Sequence, residues 1–307
     1  MSNNNLVSCI ITTYNRSNIV MDAIESILWQ TYKNWELLIV DDQSTDNTWE
    51  VIRKYENKDS RVRCLKNPNK GANFARNLGI ANAAGKYIAF LDDDDISMQH
   101  RFESQYNAMR NSGARFIVSW YEIRDRSNGK LIKVDKKVHK SSEVGFPSRW
   151  MIEKSLLEEV GGFNPIMVAM QEIELSFRLA QKYTFAHHHE VVSVIYNTPD
   201  STSSNDKAIF GKLQLLDEVG SFMLPVERAN WNLLIALDFY KKGNIKNAKK
   251  HFKHAAHLNS NIVTNVIYYY FLIINHSKSI LFKKLNCKII KYLNQIFTPY
   301  SVNHNIV

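Results

Sequence analysis

The stretch Lys86-Tyr-Ile-Ala-Phe-Leu-Asp-Asp-Asp-Asp95 joins a short apolar segment to four consecutive carboxylates. Tyr87 to Leu91 does not alternate between apolar and polar residues, which indicates a strand buried on both faces. Four carboxylates at the end of such a strand repel one another, and they stay ionised most easily around a cation. Oxygen ligands at this density suit Mg²⁺ or Mn²⁺. The alternative is a solvated acidic turn that caps a helix.

Strand patterns and helix patterns alternate on both sides of this stretch. Apolar strand patterns occupy 6–12, 35–40, 61–65, 87–91 and 115–121, and the segments between them have helical spacing. This alternation predicts right-handed crossovers and a mainly parallel sheet. Polar clusters follow three of the strands, at 12–16, 41–44 and 92–95. Ligands of such sheets bind beyond the carboxyl ends of the strands, so we expect a nucleotide site where these clusters meet.

The region after residue 121 is less regular. Residues 122–145 are charged and loop-like, with a hairpin signal at Asn128-Gly129. Helices are predicted at 153–160 and 171–182. Two strands, 183–186 and 191–196, are expected to flank His187-His-His189, and we interpret these histidines as structural or surface groups rather than metal ligands. A turn-rich loop is predicted for 197–206.

Composition and charge indicate a globular protein with two modules. The chain has 307 residues, 45% of them hydrophobic and 22% charged. Residues 226–307 hold 12 Lys or Arg against two acidic residues, whereas the rest of the chain is close to neutral. Three widely spaced cysteines form no disulfide framework, and the N-terminal sequence is unlike a signal peptide. We therefore expect a cytoplasmic protein, with a domain at 1–225 and a basic extension at 226–307.

The extension has a helical pattern. Residues 231–256 resemble one tetratricopeptide helix pair, with a turn at Gly243-Asn244 and an inner face formed by Ala248, Phe252 and Ala255. Two more apolar helices are predicted at 262–274 and 280–297. The basic and aromatic residues of these helices predict that the extension binds peripherally to the inner face of an anionic membrane. Packing within the protein is the competing interpretation. Nucleic acid is not an expected partner, because the front domain has no basic groove.

Six short motifs occur in order along the front of the chain: Ile11-Thr-Thr-Tyr-Asn-Arg16, Val40-Asp-Asp-Gln-Ser-Thr-Asp46, Gly71-Ala-Asn-Phe-Ala-Arg-Asn-Leu-Gly79, Phe90-Leu-Asp-Asp-Asp-Asp95, Gly161-Gly-Phe-Asn164 and Gln171-Glu-Ile-Glu174. Over about residues 5–205 they resemble the inverting family 2 glycosyltransferases with a GT-A fold. The resemblance implies an α/β domain with a mainly parallel mixed sheet flanked by helices, followed here by the all-α extension. It also implies transfer of a hexosyl or N-acetylhexosaminyl group from a nucleoside diphosphate sugar, most often UDP-linked. The acceptor would be a hydroxyl of a saccharide or lipid-linked saccharide, in surface polysaccharide assembly.

The resemblance assigns donor-binding roles to eight side chains. Thr12 and Tyr14 would line the base pocket. Asp42, with Asp41 beside it, would accept a hydrogen bond from the uracil N3–H. Arg76 would lie near the base or the diphosphate.

The acidic stretch would complete the donor site. Asp92 and Asp93 would face the ribose and the sugar, and Asp94 would bind the Mn²⁺ or Mg²⁺ that bridges the phosphates. A bound divalent ion stabilises the charge that collects on the diphosphate as the sugar bond breaks.

The general base is where the chain departs from the family pattern. Family members usually have Glu-Asp, with the Asp as base, whereas this chain has Gln171-Glu172. Glu172 stands at the position of the base and can remove a proton equally well if its longer side chain is placed correctly. Glu174 is the lesser candidate. Alternatively, both carboxylates only favour the N-terminus of a helix.

Two other functions fit parts of the sequence. A strand followed by Asp-Asp-x-Ser is superficially like an aspartyl-phosphate phosphatase, but that interpretation leaves the second acidic strand end and 71–79 unexplained. A catalytically inactive nucleotide-sugar-binding or scaffolding module is the more serious alternative, because of Gln171. Release of UDP from the sugar nucleotide distinguishes an active enzyme from an inactive module.

Overall fold

The computed structural model describes residues 5–136, 144–197 and 206–258. The chain forms two compact units. The first comprises Met1–Ile166 and Gln171–Ser201, and the second comprises Met167–Met170 and Thr202–Val307. The division predicted at residue 225 stays a prediction, and the helices predicted at 262–274 and 280–297 lie outside the described residues.

Strands of the first unit form one mixed sheet. They are β1 (Val7–Thr13), β2 (Trp35–Asp41), β3 (Val62–Lys66), β4 (Tyr87–Asp92), β5 (Ile96–Ser97), β6 (Phe116–Asp125), β7 (Leu131–Asp135), β8 (Trp150–Glu153) and β9 (Ala186–Asn197). Their order is β3-β2-β1-β4-β8-β6-β9-β5, with β7 paired to β6. The strands from β3 to β4 are parallel, as predicted, and β8 joins both β4 and β6 in antiparallel pairing.

Helices cover the sheet in the first unit and make up most of the described second unit. They are α1 (Val20–Leu28), α2 (Thr48–Glu56), α3 (Ala72–Asn82), α4 (Arg101–Ser112), α5 (Lys154–Glu159), α6 (Gln171–Ala180), α7 (Asp206–Val219), α8 (Pro225–Lys241) and α9 (Ile245–Leu258). None of the described helices is both long and apolar enough to cross a bilayer.

Both faces of the central sheet are buried, which explains why the strands do not alternate in polarity. Cys9 and Ile11 of β1 pack in a core with α1, α2 and α4. Ile10, between them in sequence, points to the opposite face and packs in a second core with residues of α3, α5 and α6. Successive side chains of a strand point to opposite faces, so β1 contributes to both cores.

The structure corrects two predictions in the later part of the first unit. β9 runs continuously through His187–His189, so these histidines lie in a strand and do not separate two strands. β8 occupies residues where no strand was predicted, and α5 follows it directly. The hairpin at Asn128-Gly129 is present, and β6 extends into it as far as Asp125.

The second unit contains the predicted helix pair. Chain reversal occurs at Gly243, which has φ of +74°, a left-handed conformation that favours glycine. Ala248, Phe252 and Ala255 of α9 pack against Leu233 and neighbouring residues of α8. The inner face is therefore the predicted one, whereas the likeness to a tetratricopeptide unit stays a prediction.

Candidate active site

Three strands end at the same level, which brings the predicted polar clusters together. In the β1–β2 ladder Thr13 pairs with Asp41, and in the β1–β4 ladder Thr12 pairs with Asp92. The backbone N–H of Asp42 donates to the carbonyl of Thr13 at 2.8 Å, which extends this contact beyond β2. The carboxyl ends of β1, β2 and β4 therefore form one polar edge, as the sequence predicted.

The loops after β1 and β2 are hydrogen-bonded to each other. The backbone N–H of Asn15 donates to Ser44 Oγ at 2.9 Å, and Asn15 Oδ1 accepts from the backbone N–H of Thr45 at 2.8 Å. These contacts hold the segment that carries Tyr14, a residue that is 40% exposed. The Lys70 ammonium lies 4.5 Å from the centroid of the Tyr14 ring. An exposed aromatic ring at the edge of the polar cluster suits stacking on a nucleotide base.

Asp42 is fixed by the start of α3. Its carboxylate accepts from the backbone N–H of Gly71 at 2.8 and 3.0 Å, and from Asn67 Nδ2 at 2.6 Å. Asp41 is also buried, and its Oδ2 accepts from the backbone N–H of Ser44. Asp41 Oδ1 is buried with no hydrogen-bond partner among the described residues. The two carboxylates predicted to contact the uracil therefore differ in their hydrogen bonds. Asp42 is held by the loop before α3, whereas Asp41 keeps one acceptor oxygen without a partner among the described residues.

Asp95 shapes the acidic turn. Its carboxylate is buried and accepts from Ser148 Oγ at 2.6 Å. Ser148 Oγ also accepts from the backbone N–H of Asp92 at 3.0 Å, and the Asp95 N–H closes the turn onto the Asp92 carbonyl. Asp92, Asp93 and Asp94 remain partly exposed. Ser148 and Asp95 therefore position the turn, and neither role was visible in the sequence.

The carboxylates of this turn are not fully neutralised by the protein. Burial raises the pKa of Asp93 to about 7, and the negative charges of Asp94 and Asp92 add to the rise. Burial and the charge of Asp92 raise the pKa of Asp94, while Arg16 and Arg126 oppose that rise. A bound cation would relieve this repulsion.

The donor set fits a hard divalent ion that is shared with a ligand. Within the part of the chain that the structure describes, no three acidic, histidine or cysteine side chains are placed to hold a metal by themselves. Asp94 offers carboxylate oxygen at a place where negative charge is in excess. Mg²⁺ and Mn²⁺ accept such oxygens together with those of substrate phosphates. The residues therefore fit an ion completed by a diphosphate.

Arg76 connects the acidic turn to Glu172, the predicted general base. The Arg76 side chain is 10% exposed, with Nη2 at 3.2 Å from Asp92 Oδ1 and Nη1 at 3.5 Å from Glu172 Oε1. Burial raises the pKa of Glu172, and the charge of Arg76 opposes that rise. The Glu172 side chain keeps 21% of its surface exposed. A carboxylate that is reachable and raised in pKa is suited to accept a proton near neutral pH.

Two asparagines of α3 hold the loop that supports Arg76. Asn77 Nδ2 donates to the carbonyl of Phe163, and the Phe163 N–H returns a bond to Asn77 Oδ1, at 2.7 and 2.8 Å. Asn73 Nδ2 donates to the carbonyl of Asn164 at 2.9 Å. The Phe163 ring lies 5.2 Å from the Arg76 guanidinium. The motifs at 71–79 and 161–164 therefore have a structural role, because their contacts hold the Phe163 ring beside Arg76.

Glu174 and the histidine triplet have structural partners. The Glu174 carboxylate is buried and pairs with Arg178 through two hydrogen bonds, at 2.7 and 2.8 Å. Arg178 also donates to the carbonyls of Val160 and Gly162. His188 Nδ1 lies 3.2 Å from the hydroxyl of Ser119, and burial lowers the pKa of His188. Glu174 therefore holds the turn after α5, and of the two acidic residues in the first turn of α6 it is Glu172 that lies beside Arg76.

The sequence model described as Glycosyl transferase family 2 matches residues 8–166, about half of the chain. That span includes the three strand ends, α3 and the acidic turn. The chain belongs to this family of glycosyltransferases, and its sheet with flanking helices is the GT-A fold.

Known proteins give further comparisons. The Escherichia coli protein named UDP-Glc:alpha-D-GlcNAc-diphosphoundecaprenol beta-1,3-glucosyltransferase WfaP is 46% identical over 119 residues, which cover 38% of this chain and 47% of WfaP. The chain spans 18% to 62% of the length of the curated relatives it matches. S. aureus TarS 1-349 in complex with UDP has a TM-score of 0.59 at 13% identity, covering 98% of this chain and 94% of that one. The mannosyltransferase PcManGT from Pyrobaculum calidifontis, in complex with GDP-Man and Mn²⁺, has a TM-score of 0.54 at 14% identity. The match covers 95% of this chain and 87% of PcManGT.

Proposed function

We propose that the protein transfers a hexosyl or N-acetylhexosaminyl group from a UDP-sugar to a hydroxyl of a saccharide or lipid-linked saccharide, with inversion. The observation that carries this proposal is the pair of contacts made by Arg76, to Asp92 at 3.2 Å and to Glu172 at 3.5 Å. One side chain thereby joins the acidic turn proposed for the donor to the carboxylate proposed as base. An inverting transferase needs these two groups close together, on opposite sides of the sugar carbon.

The uridine of the donor is assigned to the edge formed by β1 and β2. Asp42, with Asp41 beside it, accepts the uracil N3–H, and Thr12 and Tyr14 line the base pocket. The unpaired acceptor of Asp41 and the exposed ring of Tyr14 support a base at this edge. The UDP named for WfaP and for the TarS complex agrees with this choice of donor. Asp92 and Asp93 then face the ribose and the sugar.

The transfer is a single displacement. Glu172 accepts the proton of the acceptor hydroxyl while that oxygen forms a bond to the anomeric carbon of the sugar. The bond between this carbon and the diphosphate oxygen breaks, and its electron pair leaves with UDP. Because the new bond forms opposite the one that breaks, the configuration inverts. Arg76 keeps Glu172 oriented through their 3.5 Å ion pair.

Asp94 is the residue proposed to hold Mn²⁺ or Mg²⁺. When bound, the ion supplies positive charge to the departing diphosphate. The pKa of Asp94, raised first by burial and then by the charge of Asp92, supports this assignment, because a bound cation would favour the ionised carboxylate. The Mn²⁺ named in the PcManGT complex is consistent with a divalent ion in this fold.

The proposal also covers the acceptor and the membrane that would hold it. WfaP is named for an acceptor linked to diphosphoundecaprenol, so we assign a lipid-linked saccharide and a role in surface polysaccharide assembly. Residues 1–225 would carry out the transfer. Residues 226–307, with their basic charge, would contact an anionic membrane that holds such an acceptor.

Metal-dependent binding of UDP tests the donor site. Asp94→Ala should abolish the gain in UDP affinity that Mn²⁺ produces, because the variant loses the carboxylate proposed to hold the ion. Calorimetric titration with UDP, with and without Mn²⁺, measures this gain. Asp22→Ala, an exposed position on α1, is the control and should behave like the wild type. An unchanged gain in Asp94→Ala would contradict the assignment of Asp94 as the residue that holds the metal.

A further inference from the structure

Arg126 lies against the acidic turn, and no carboxylate of the described residues forms an ion pair with it. Its Nη1 donates to the backbone carbonyl of Asp94 at 2.8 Å, and its guanidinium lies 5.0 Å from the centroid of the Tyr196 ring. Tyr196 is tied to the same turn, because its N–H donates to Asp95 Oδ1 at 3.4 Å. The end of β6 and the end of β9 therefore place a guanidinium directly beside the residue proposed to bind the metal.

Several arginines of the described chain, unlike Arg126, have their charge paired with a carboxylate. Arg61, Arg115, Arg124 and Arg178 each have a carboxylate oxygen at 2.7 Å, in Asp59, Glu153, Glu122 and Glu174 respectively. The contacts of Arg126 are a neutral carbonyl and an aromatic face. These contacts fix the plane of a guanidinium but do not cancel its charge.

The donors of Arg126 suit an oxyanion. A guanidinium has five N–H groups, and among the described residues Arg126 uses one hydrogen bond, to the Asp94 carbonyl. The remaining fork matches the spacing of two phosphate oxygens, which a guanidinium binds more specifically than an ammonium does. Arg126 is partly exposed, so a ligand can reach it.

We propose that Arg126 binds a phosphate group at the transfer site, as a substrate-binding residue that no motif of the sequence identifies. The inference rests on the proposed function, which supplies phosphate from two sources of the same chemistry. One source is the diphosphate of the donor, and the other is the phosphate that links an acceptor saccharide to its lipid. Both would approach the acidic turn where Arg126 lies.

Two binding measurements distinguish these sources. The first is the affinity for UDP in the presence of Mn²⁺. The second is the affinity of the UDP- and Mn²⁺-saturated protein for an alkyl-diphospho-GlcNAc probe with a short chain. Arg126→Gln should weaken one of the two by about 10- to 100-fold, because a charge-assisted bidentate contact is lost. Arg126→Lys keeps the charge but loses the fork, so it should lie between Gln and the wild type.

Arg124→Gln is the matched control, since Arg124 lies two residues away, near the end of β6, and pairs with Glu122. It should leave both affinities within twofold of the wild type. Weaker UDP binding in Arg126→Gln identifies the donor diphosphate, and weaker probe binding identifies the acceptor. If Arg126→Gln, with an unchanged unfolding temperature, binds both ligands as the wild type does, the inference is wrong although the proposed function stands. Failure of the wild type to bind UDP would overturn both the inference and the proposed function, whereas failure to bind the probe alone would exclude the acceptor phosphate as the ligand of Arg126.

Discussion

At the scale of single residues, Arg76 lies between two carboxylates, Asp92 and Glu172. The family resemblance placed Arg76 near the nucleobase or the diphosphate and implied Glu172 as the general base, but the sequence contained no sign that the two side chains meet. They are 96 positions apart, and side-chain contacts across such a distance leave no periodic pattern. By contrast, Asp92 and Thr12 could be placed together in advance, because both follow parallel strands.

The raised pKa of Asp93 predicts how stability responds to pH. The pKa is about 7 in the folded protein against an ordinary value of 3.8, so the folded state binds this proton more tightly than the unfolded chain does. The contribution of Asp93 to the free energy of unfolding is therefore largest below pH 4 and falls as pH rises to 7. Asp93→Asn has no such loss.

Thermal unfolding with a chelator present measures this effect. The unfolding temperature of Asp93→Asn, relative to the wild type, should increase between pH 4 and pH 8. Asp22→Asn, at an exposed position, is the control and should show no such trend. A relative unfolding temperature of Asp93→Asn that stays constant over this range would show that Asp93 titrates normally.

At the scale of elements, the long central strands and their helices were predictable because each carries its own pattern. β1, β2 and β4 are continuous apolar runs, and both faces of each are buried. β8 was missed because it has four residues and gains its stability from pairing with β4 and β6, which are remote in sequence. The sequence wrongly predicted two strands separated by the histidines where β9 is one strand. His188 is accommodated by a contact to Ser119 on the neighbouring strand β6, and such a contact is not visible in the sequence.

The turn after α5 gives a matched pair of glycines for testing the support of Arg76. Gly161 and Gly162 have φ of +79° and +68°, so alanine is strained at either position, by about 1–2 kcal/mol. A Cβ on Gly162 would also lie 2.5 Å from Asn77 Oδ1, whereas one on Gly161 would meet nothing within 4 Å. Gly162→Ala should therefore lose about 1–3 kcal/mol more than Gly161→Ala.

Denaturant unfolding of the two variants measures this difference. Gly162→Ala should also lower the transfer rate more than Gly161→Ala, because the displaced Asn77 holds Phe163 beneath Arg76. Equal losses of stability in the two variants would mean that the close approach to Asn77 is not a constraint on this turn.

At the scale of the whole molecule, charge is distributed unevenly between the two ends of the chain. The basic excess lies in residues 226–307, and part of it is described in α9, where Lys246, Lys250 and Lys253 are exposed. Each lysine at the surface of an anionic bilayer contributes about 1 kcal/mol. The sequence predicted the helix pair from its periodicity, but periodicity alone does not say what an exposed basic face contacts.

Charge reversal on α9 tests the proposed membrane contact. The triple change of Lys246, Lys250 and Lys253 to Glu should reduce co-sedimentation with anionic vesicles at least tenfold, and added salt should weaken binding of the wild type. Lys54→Glu with Lys58→Glu, exposed positions in the first unit, is the control and should bind normally. If the wild type stays in the supernatant with anionic and neutral vesicles alike, there is no membrane contact to explain.

Substitution of Glu172 by Gln tests the central claim most directly. The amide keeps the size of the side chain and a contact to Arg76, but it cannot accept the acceptor proton. The rate of sugar transfer, measured at saturating UDP-sugar and Mn²⁺, should fall by about 10²–10⁴-fold, with UDP affinity unchanged. Glu174→Gln serves as the comparison, and it should lower stability because Arg178 loses its partner. Transfer by Glu172→Gln at the rate of the wild type would contradict the assignment of Glu172 as the base.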